Sequence, residues 1–316
     1  MKILANDGIS DTGIDLLSKA GFEVITVNIA QNQLIKYINN NNVSCLLVRS
    51  ATQARKDLID SCPKLKLIGR GGVGMDNIDV DYAKSKNIHV INTPAASSSS
   101  VAELVIAHLY GCVRFLYDSN RNMPLEGDKN FKNLKKIYSK GIELRGKTLG
   151  IIGFGRIGQE VAKLALGIGM KVIASDKFID MGNIKIDFYN NESMSFEVKT
   201  QSLNSLYRDA DFITLHIPSQ REYIINKESI NLMKDGVGII NAARGGIINE
   251  TDLIEALDSK KVSFAAFDTF ENEPNPNVKL LMHPKVSLSP HIGAATGQAQ
   301  DRIGEELANQ IINLFQ

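Results

Sequence analysis

The sequence predicts an α/β protein built from two doubly wound parallel sheets. Two observations carry that prediction. Short apolar runs alternate with helix-spaced patterns in two successive series along the chain, and residues 148–176 place a glycine triplet between a strand and a helix. Strands that alternate with helices imply parallel sheets covered on both faces.

In the first series the strand-like runs are 2–5, 23–27, 43–48, 65–68 and 89–91, with helical patterns such as 11–20 and 33–38 between them. In the second they are 148–152, 171–174, 212–216, 238–241, 263–267 and 286–288. The break between the series is NTPAASSSS at 92–100. Pro94 ends a strand there, and the serines are placed to cap a helix whose apolar stripe runs through Val101, Leu104, Val105, His108, Leu109 and Cys112. The last segment, 298–315, steps Ile303, Leu307, Ile311 and Phe315 along one helical face. It is placed to return to the first series, which would make the N-terminal domain discontinuous.

Two segments lack a clear pattern. Residues 121–147 hold eight Lys or Arg and three acids, a local balance of +5. They read either as a solvated arm or as a dimer arm that brings Lys135 or Lys136 toward an anionic substrate. Residues 180–204 read as a polar surface insertion without a function.

The triplet is Gly153, Gly155 and Gly158. An apolar run enters it, a helical pattern through Val161, Leu164, Ala165 and Ile168 leaves it, and a second run, 170–174, ends near Asp176. This is a dinucleotide-binding layout. Gly153 permits the tight turn, Gly155 lets the backbone approach a pyrophosphate, and Gly158 lets the helix lie close to the strand. The helix N-terminus offers free N–H groups to the phosphates. Asp176 stands where a carboxylate binds ribose hydroxyls, and its charge opposes a 2′-phosphate, which favours NAD over NADP. Lys177 follows and softens that preference. A glycine turn alone would be weak evidence; here strand, helix, second strand and acid all follow in order.

Bulk properties narrow the remaining classes. The 316 residues suffice for two domains, and the composition is ordinary at 43% hydrophobic, 22% charged and net charge +1. The near-zero balance predicts neither a nucleic-acid nor a membrane partner. The start, MKILANDGIS, lacks the regions of a signal peptide. Cys45, Cys62 and Cys112 have no metal or redox spacing, so no metal is expected; Cys45 and Cys112 read as buried thiols, and a cytoplasmic setting fits.

Three residues beyond the glycine motif follow strands of the second series: Arg244, Glu273 and His291. Open α/β sheets bind ligands at such strand ends. Moving a hydride from a secondary alcohol requires a base for the hydroxyl proton, a cation for the substrate and a group that orients the base. An imidazole suits the first role, a guanidinium gripping a carboxylate the second, and a carboxylate on the far ring nitrogen the third. Each residue alone also reads as an ordinary loop polar group; their shared placement raises the set above that.

The motifs GRGGVGMDNID around 70–79, NTPAASSSSVAEL, GFGRIGQEVAK, INAARGGIINE, FDTFENEP and SPHIGAAT together resemble the D-isomer-specific 2-hydroxyacid dehydrogenase family, over about residues 43–310. The resemblance implies a Rossmann NAD-binding domain, 95–291, inserted in a flavodoxin-like substrate domain, 1–94 plus 292–316, with the active site in a cleft between them. It implies Arg244, Glu273 and His291 as the catalytic set, and Arg156, Ile157 and Asp176 at the pyrophosphate and ribose. Ile217, Ala242 and Asp268 would line the adenine and nicotinamide ends, with His216, Pro218, Ala243, Gly293 and Ala294 also on the cofactor. Val73 and Gly74 would touch substrate and cofactor through the backbone, and Arg49, Ser50 and Arg70 would bind the substrate.

VRSAT at 48–52, GRGGVGMDNID and NTPAASSSSVAELVIAHL are most similar to the branch that oxidises 3-phospho-D-glycerate to 3-phosphohydroxypyruvate, the first step toward serine. Alternatives are hydroxypyruvate, glyoxylate or another small 2-keto acid, or an NAD-sensing protein of the carboxy-terminal-binding corepressor type. The resemblance also implies a homodimer through the NAD-binding domain, along helix 97–113 and the arm 119–147. In two places the chain departs from the pattern. Lys177 replaces the proline that usually follows the ribose acid, and the sequence stops at Gln316, which predicts no serine feedback through a C-terminal regulatory domain.

Overall fold

The computed structural model describes all 316 residues. They divide into two compact units, Met1–Ser100 with Ala294–Gln316, and Val101–Gly293. The first crossing therefore lies beyond Pro94, inside a helix. Ser97 directly precedes that helix, at the N-cap position, and Ser98, Ser99 and Ser100 form its first turn. Serine is tolerated there because first-turn N–H groups lack intrahelical partners that a hydroxyl could disturb.

The first unit alternates β1 (Lys2–Ala5), α1 (Asp11–Lys19), β2 (Glu23–Ile25), α2 (Gln31–Asn41), β3 (Cys45–Val48), α3 (Lys56–Ser61), β4 (Leu67–Arg70), α4 (Val80–Ser85) and β5 (His89–Asn92). Its sheet is wholly parallel in the order β2-β1-β3-β4-β5, the flavodoxin-like order. Cys45, Leu46, Leu47 and Val48 are all buried, as expected of a central strand covered on both faces. The C-terminal helix, Gly297–Phe315, belongs to this unit. Thr296 caps it by accepting from the Ala299 N–H, and Ala308 and Ile311 close a core with Ile3, Leu17, Cys45 and Leu47. Gly13 and Gly304 let α1 and this helix meet: a Cβ on Gly13 would lie 2.9 Å from the Gly304 Cα.

The second unit holds α5 (Ser98–Val113), α6 (Leu116–Tyr138), β6 (Thr148–Ile152), α7 (Arg156–Gly167), β7 (Lys171–Ser175), β8 (Met181–Asp187), β9 (Ser193–Lys199), α8 (Leu203–Asp209), β10 (Phe212–Leu215), α9 (Lys227–Leu232), β11 (Val237–Asn241), α10 (Glu250–Asp258), β12 (Val262–Phe267), α11 (Val278–Leu281) and β13 (Val286–Leu288). Its main sheet is parallel, β13-β12-β11-β10-β6-β7. Thr200 bridges Ala174 in parallel outside β7, where the third strand of a 3-2-1-4-5-6 sheet would lie. The register aligns the C-terminal strand ends: Ser175, Ile152, Leu215, Asn241, Phe267 and Leu288 are successive partners across the sheet. Every residue just past those ends therefore emerges along one edge.

The two unpatterned segments are regular after all. Residues 180–204 contain the antiparallel β8–β9 hairpin, whose inward positions include only a few apolar side chains, such as Ile184 and Val198. That is too few to produce an apolar run. The basic arm is largely α6, in which only Leu134 is buried, so no stripe marks it. It bends at Asn130, which leaves helical φ/ψ, and it carries Pro124. The Tyr138 hydroxyl donates to Asp118 at 2.8 Å, although a straight helix would hold residues that far apart at about 30 Å. Lys135 and Lys136 are exposed in its last turn. No single helix is long and apolar enough to cross a membrane.

Candidate active site

The glycine loop follows β6. Gly153 has φ +91°, and a Cβ there would overlap the His216 carbonyl, so both conformation and space demand glycine. A Cβ on Gly158 would strike the Gly153 carbonyl, which shows how closely α7 approaches the turn. Gly155 faces open space and caps α7 without a side-chain bond, so the first-turn N–H groups around Arg156 and Ile157 remain available to an anion. A pyrophosphate fits this cradle.

Asp176 lies just past the following strand and already serves the loop. Its Oδ2 accepts from the Phe154 N–H at 2.7 Å, and Oδ1 accepts from Phe178 and Ile179 at 2.8 and 3.1 Å. A carboxylate offers about four acceptor positions, so Oδ2 retains one for a ribose hydroxyl. Lys177 is exposed beside it. His216 follows β10, with Nε2 3.0 Å from Thr214 Oγ1 and Nδ1 buried without a partner. Burial pushes its imidazole down to about 3, so it is neutral. Ile217 packs onto the core beside it and Pro218 is exposed.

Further along the same edge lie Ala242 and Ala243, both buried, and then Arg244. Asn241 shapes this turn by donating to the Arg244 carbonyl at 2.8 Å and accepting from the Ala243 N–H at 3.1 Å. Glu273 and His291 meet here. Oε2 of Glu273 lies 2.7 Å from His291 Nδ1, and Oε1 accepts from the Phe270 N–H at 2.9 Å. An ionised carboxylate only accepts, so the proton between them sits on Nδ1, and Nε2 is left as the basic nitrogen. Burial pushes the Glu273 carboxyl up, but the bonds from His291 and Phe270, with the charges of His291 and Arg244, outweigh it and hold the group below its ordinary value. The pair is reachable, with side chains 42% and 35% exposed for His291 and Glu273. A cavity lined by Phe270, Pro274, Leu281, Leu288 and Pro290 adjoins it.

Asp268, expected on the cofactor, already has protein partners. It is 1% exposed, and it accepts from the N–H groups of Ile292 and Gly293, each at 2.8 Å, and from Ser289 at 2.6 Å. It thus anchors the turn that follows His291. Ala294 lies across the unit boundary from Gly293.

In the first unit Arg49 and Arg70 follow or end adjacent strands, because Val48 pairs with Arg70. Asn77 joins them: its Oδ1 accepts from Arg70 Nε at 3.1 Å, and its Nδ2 donates to the carbonyls of Arg49 and Thr52 at 2.8 and 2.6 Å. Asp7 accepts from the N–H groups of Arg49 and Thr52 at 2.6 and 3.1 Å, and from the Thr52 hydroxyl at 2.6 Å. Ser50 and Val73 are exposed on these loops, with Gly74 partly so, and Asn92 donates to the Val73 carbonyl at 2.7 Å. Sequence reasoning missed Asp7 and Asn77. Asp7 was open to the argument used for Arg244, since it lies just past a strand end; Asn77 carries no such signal.

Comparison with known proteins places these features in a lineage. Residues 106–293 match the NAD binding domain of the D-isomer specific 2-hydroxyacid dehydrogenases. The chain is 42% identical over 316 residues to a hydroxypyruvate reductase of Thermotoga maritima, covering 98% of this chain and 97% of that one. It is 41% identical over 313 residues to the D-3-phosphoglycerate dehydrogenase of Methanocaldococcus jannaschii, but spans only 57% of that protein's length. Among solved structures, the NAD-bound 3-phosphoglycerate dehydrogenase of Entamoeba histolytica superposes with a TM-score of 0.77 at 28% identity, covering 100% of this chain and 95% of that one. The chain belongs to the D-isomer-specific 2-hydroxyacid dehydrogenases, enzymes that use NAD.

Proposed function

We propose that this enzyme oxidises 3-phospho-D-glycerate to 3-phosphohydroxypyruvate, an entry step to serine. The observation that supports this substrate is the pair Arg49 and Arg70 on adjacent strand ends, braced by one asparagine. A phosphate dianion needs more than one cation, and two arginines on adjacent, braced loops provide them. His291 takes the hydroxyl proton on Nε2, and Glu273 stabilises the imidazolium through Nδ1. Arg244 grips the carboxylate and polarises the forming carbonyl. Bound NAD supplies the acceptor for the hydride leaving C2. Gly155, Arg156 and Ile157 would hold its pyrophosphate and Asp176 its ribose, and Ala242, Ala243 and Gly293 would line its nicotinamide end.

A second reading rests on the Thermotoga relative, which this chain matches almost end to end and which is named a hydroxypyruvate reductase. 3-Phosphohydroxypyruvate and hydroxypyruvate differ only by a phosphate, so the arginines decide between the two reactions. NADH absorbance, followed with 3-phosphoglycerate plus NAD and with hydroxypyruvate or glyoxylate plus NADH, separates the readings. Arg70→Gln is expected to raise KM for 3-phosphoglycerate by about tenfold or more and to leave KM for an unphosphorylated acid within about threefold. Equal effects on both overturn the phosphate assignment. An NAD-sensing protein without turnover is excluded when wild type turns over and His291→Ala loses turnover while still binding NAD.

The same reading includes a homodimer formed through α5 and α6, supported by the exposed Leu116, Leu125, Phe131 and Ile137. Sedimentation at micromolar concentration tests it, and a monomer there ends that part. The three cysteines are buried and unpaired, which supports a reducing, cytoplasmic setting.

A further inference from the structure

The turn that carries His291 is held from behind by a buried hydrogen-bond chain whose direction can be assigned. Asp268 accepts from the Ser289 hydroxyl at 2.6 Å, so that hydroxyl's only proton points at the carboxylate. Ser289 Oγ also lies 2.8 Å from His108 Nε2. With its proton already committed, Ser289 can only accept there, and Nε2 must carry hydrogen. His108 Nδ1 lies 2.9 Å from Ser287 Oγ. In a neutral ring with hydrogen on Nε2, Nδ1 accepts, so Ser287 donates to it. The chain runs one way, from Ser287 through His108 and Ser289 to Asp268. Its members are 7%, 7%, 9% and 1% exposed, in that order. Burial pushes the His108 imidazole down, against a smaller upward pull from Asp268, which agrees with a neutral ring.

What the chain secures is unusual backbone. His291 has φ +54°, a left-handed conformation that a residue with a side chain adopts only when its surroundings hold it there. Its own N–H donates to the Ser289 carbonyl at 3.1 Å, and the next two N–H groups, of Ile292 and Gly293, end on Asp268. Ser289 therefore grips the turn by its backbone on one side and orients Asp268 by its hydroxyl on the other.

We propose that His108 is a positioning residue for His291: its Nε2–H directs the Ser289 hydroxyl onto Asp268, and Asp268 then holds the turn so that His291 meets Glu273. This rests on His291 being the base. His108 lies on α5, far from His291 in sequence, and acts only through Ser289 and Asp268.

The test uses the full chain and four variants: His291→Ala, His108→Leu, His108→Gln and Ser289→Ala. Turnover is measured with 3-phosphoglycerate and NAD and with hydroxypyruvate and NADH, NADH affinity by its fluorescence, and Tm without cofactor. His108→Leu is expected to lower kcat by about fivefold or more while NADH affinity stays within about threefold. His108→Gln, whose amide can still donate to Ser289, is expected to recover most of kcat even if its Tm stays low. Ser289→Ala should match His108→Leu, and it carries the test where the leucine variant does not fold. A smaller fall in kcat, or a glutamine variant no more active than the leucine one, overturns the proposal. If His291→Ala is inactive while His108→Leu is not, only the positioning role fails; an active His291→Ala removes the base assignment and this role together. Nitrogen-15 NMR of the labelled histidines gives a cofactor-free readout. The signal lost in His108→Gln should be a neutral ring with hydrogen on Nε2, and hydrogen on Nδ1 overturns the assigned direction.

Discussion

The loops at the strand ends of the two sheets are built on opposite plans. In the second unit the groups that would do chemistry hold one another: Glu273 and His291 are 2.7 Å apart, and both are partly exposed. In the first unit the Arg49 backbone and the Arg70 guanidinium are held by a frame of other residues, Asp7, Thr52 and Asn77, of which Thr52 and Asn77 are buried. The contrast teaches that a histidine paired directly with a carboxylate has its tautomer fixed by that bond, whereas a charged loop can be held through its backbone and by a neutral side chain.

Three experiments break or sharpen that contrast, and the first has the largest expected effect. Glu273→Gln should lower kcat by about a hundredfold, because the amide no longer stabilises an imidazolium, with NAD affinity unchanged. Activity within about threefold of wild type would mean that the bond to Nδ1 is incidental.

Asn77→Ala attacks the frame. It leaves the Arg49 and Thr52 carbonyls and the Arg70 guanidinium short of a partner, which should cost about 1–3 kcal/mol of stability by urea denaturation. KM should rise more than kcat falls. A variant that loses kcat with KM intact would make the first-unit frame catalytic and erase the difference.

The smallest effect is on pH. His108 and His216 are both held below the ordinary histidine value by burial, so the unfolded chain takes up protons first as pH falls. Their contribution to stability is complete above about 6.5 and declines as pH drops toward their folded values. Glu273, held below the ordinary carboxylate value, keeps its contribution until lower pH, losing it below about 4.3. Tm should therefore fall between pH 7 and 5.5, before the Glu273 pair is affected, and His216→Asn should flatten that slope. A Tm that is level over this interval contradicts neutral buried histidines.

Much of the fold was legible because parallel strands buried on both faces read as unbroken apolar runs. Cys45–Val48 and Val237–Asn241 are such strands, and both were visible. The β8–β9 hairpin was not, because it buries Gly182, Ile184 and Val198 among polar neighbours and leaves no run to see. The start of α5 was legible in the serine run, since Ser97 precedes the helix and Ser98, Ser99 and Ser100 form its first turn. At the site, Arg244, Glu273 and His291 stood out as functional side chains past strand ends. His108 looked like one more member of an apolar helical stripe.

The sequence by itself determined the alternation of elements, the glycine turn and the chemical types at the strand ends, since these depend on local periodicity and on residues close in the chain. Only the tertiary structure decided which of them meet. Strand register aligned Leu215, Asn241, Phe267 and Leu288, and with them the loops that bring Glu273 to His291. Burial also gave Asp268 an anchoring role that its place in the sequence did not reveal. Such pairings join residues far apart in sequence, and a carboxylate shut away from water is stable only when donors from several elements converge on it.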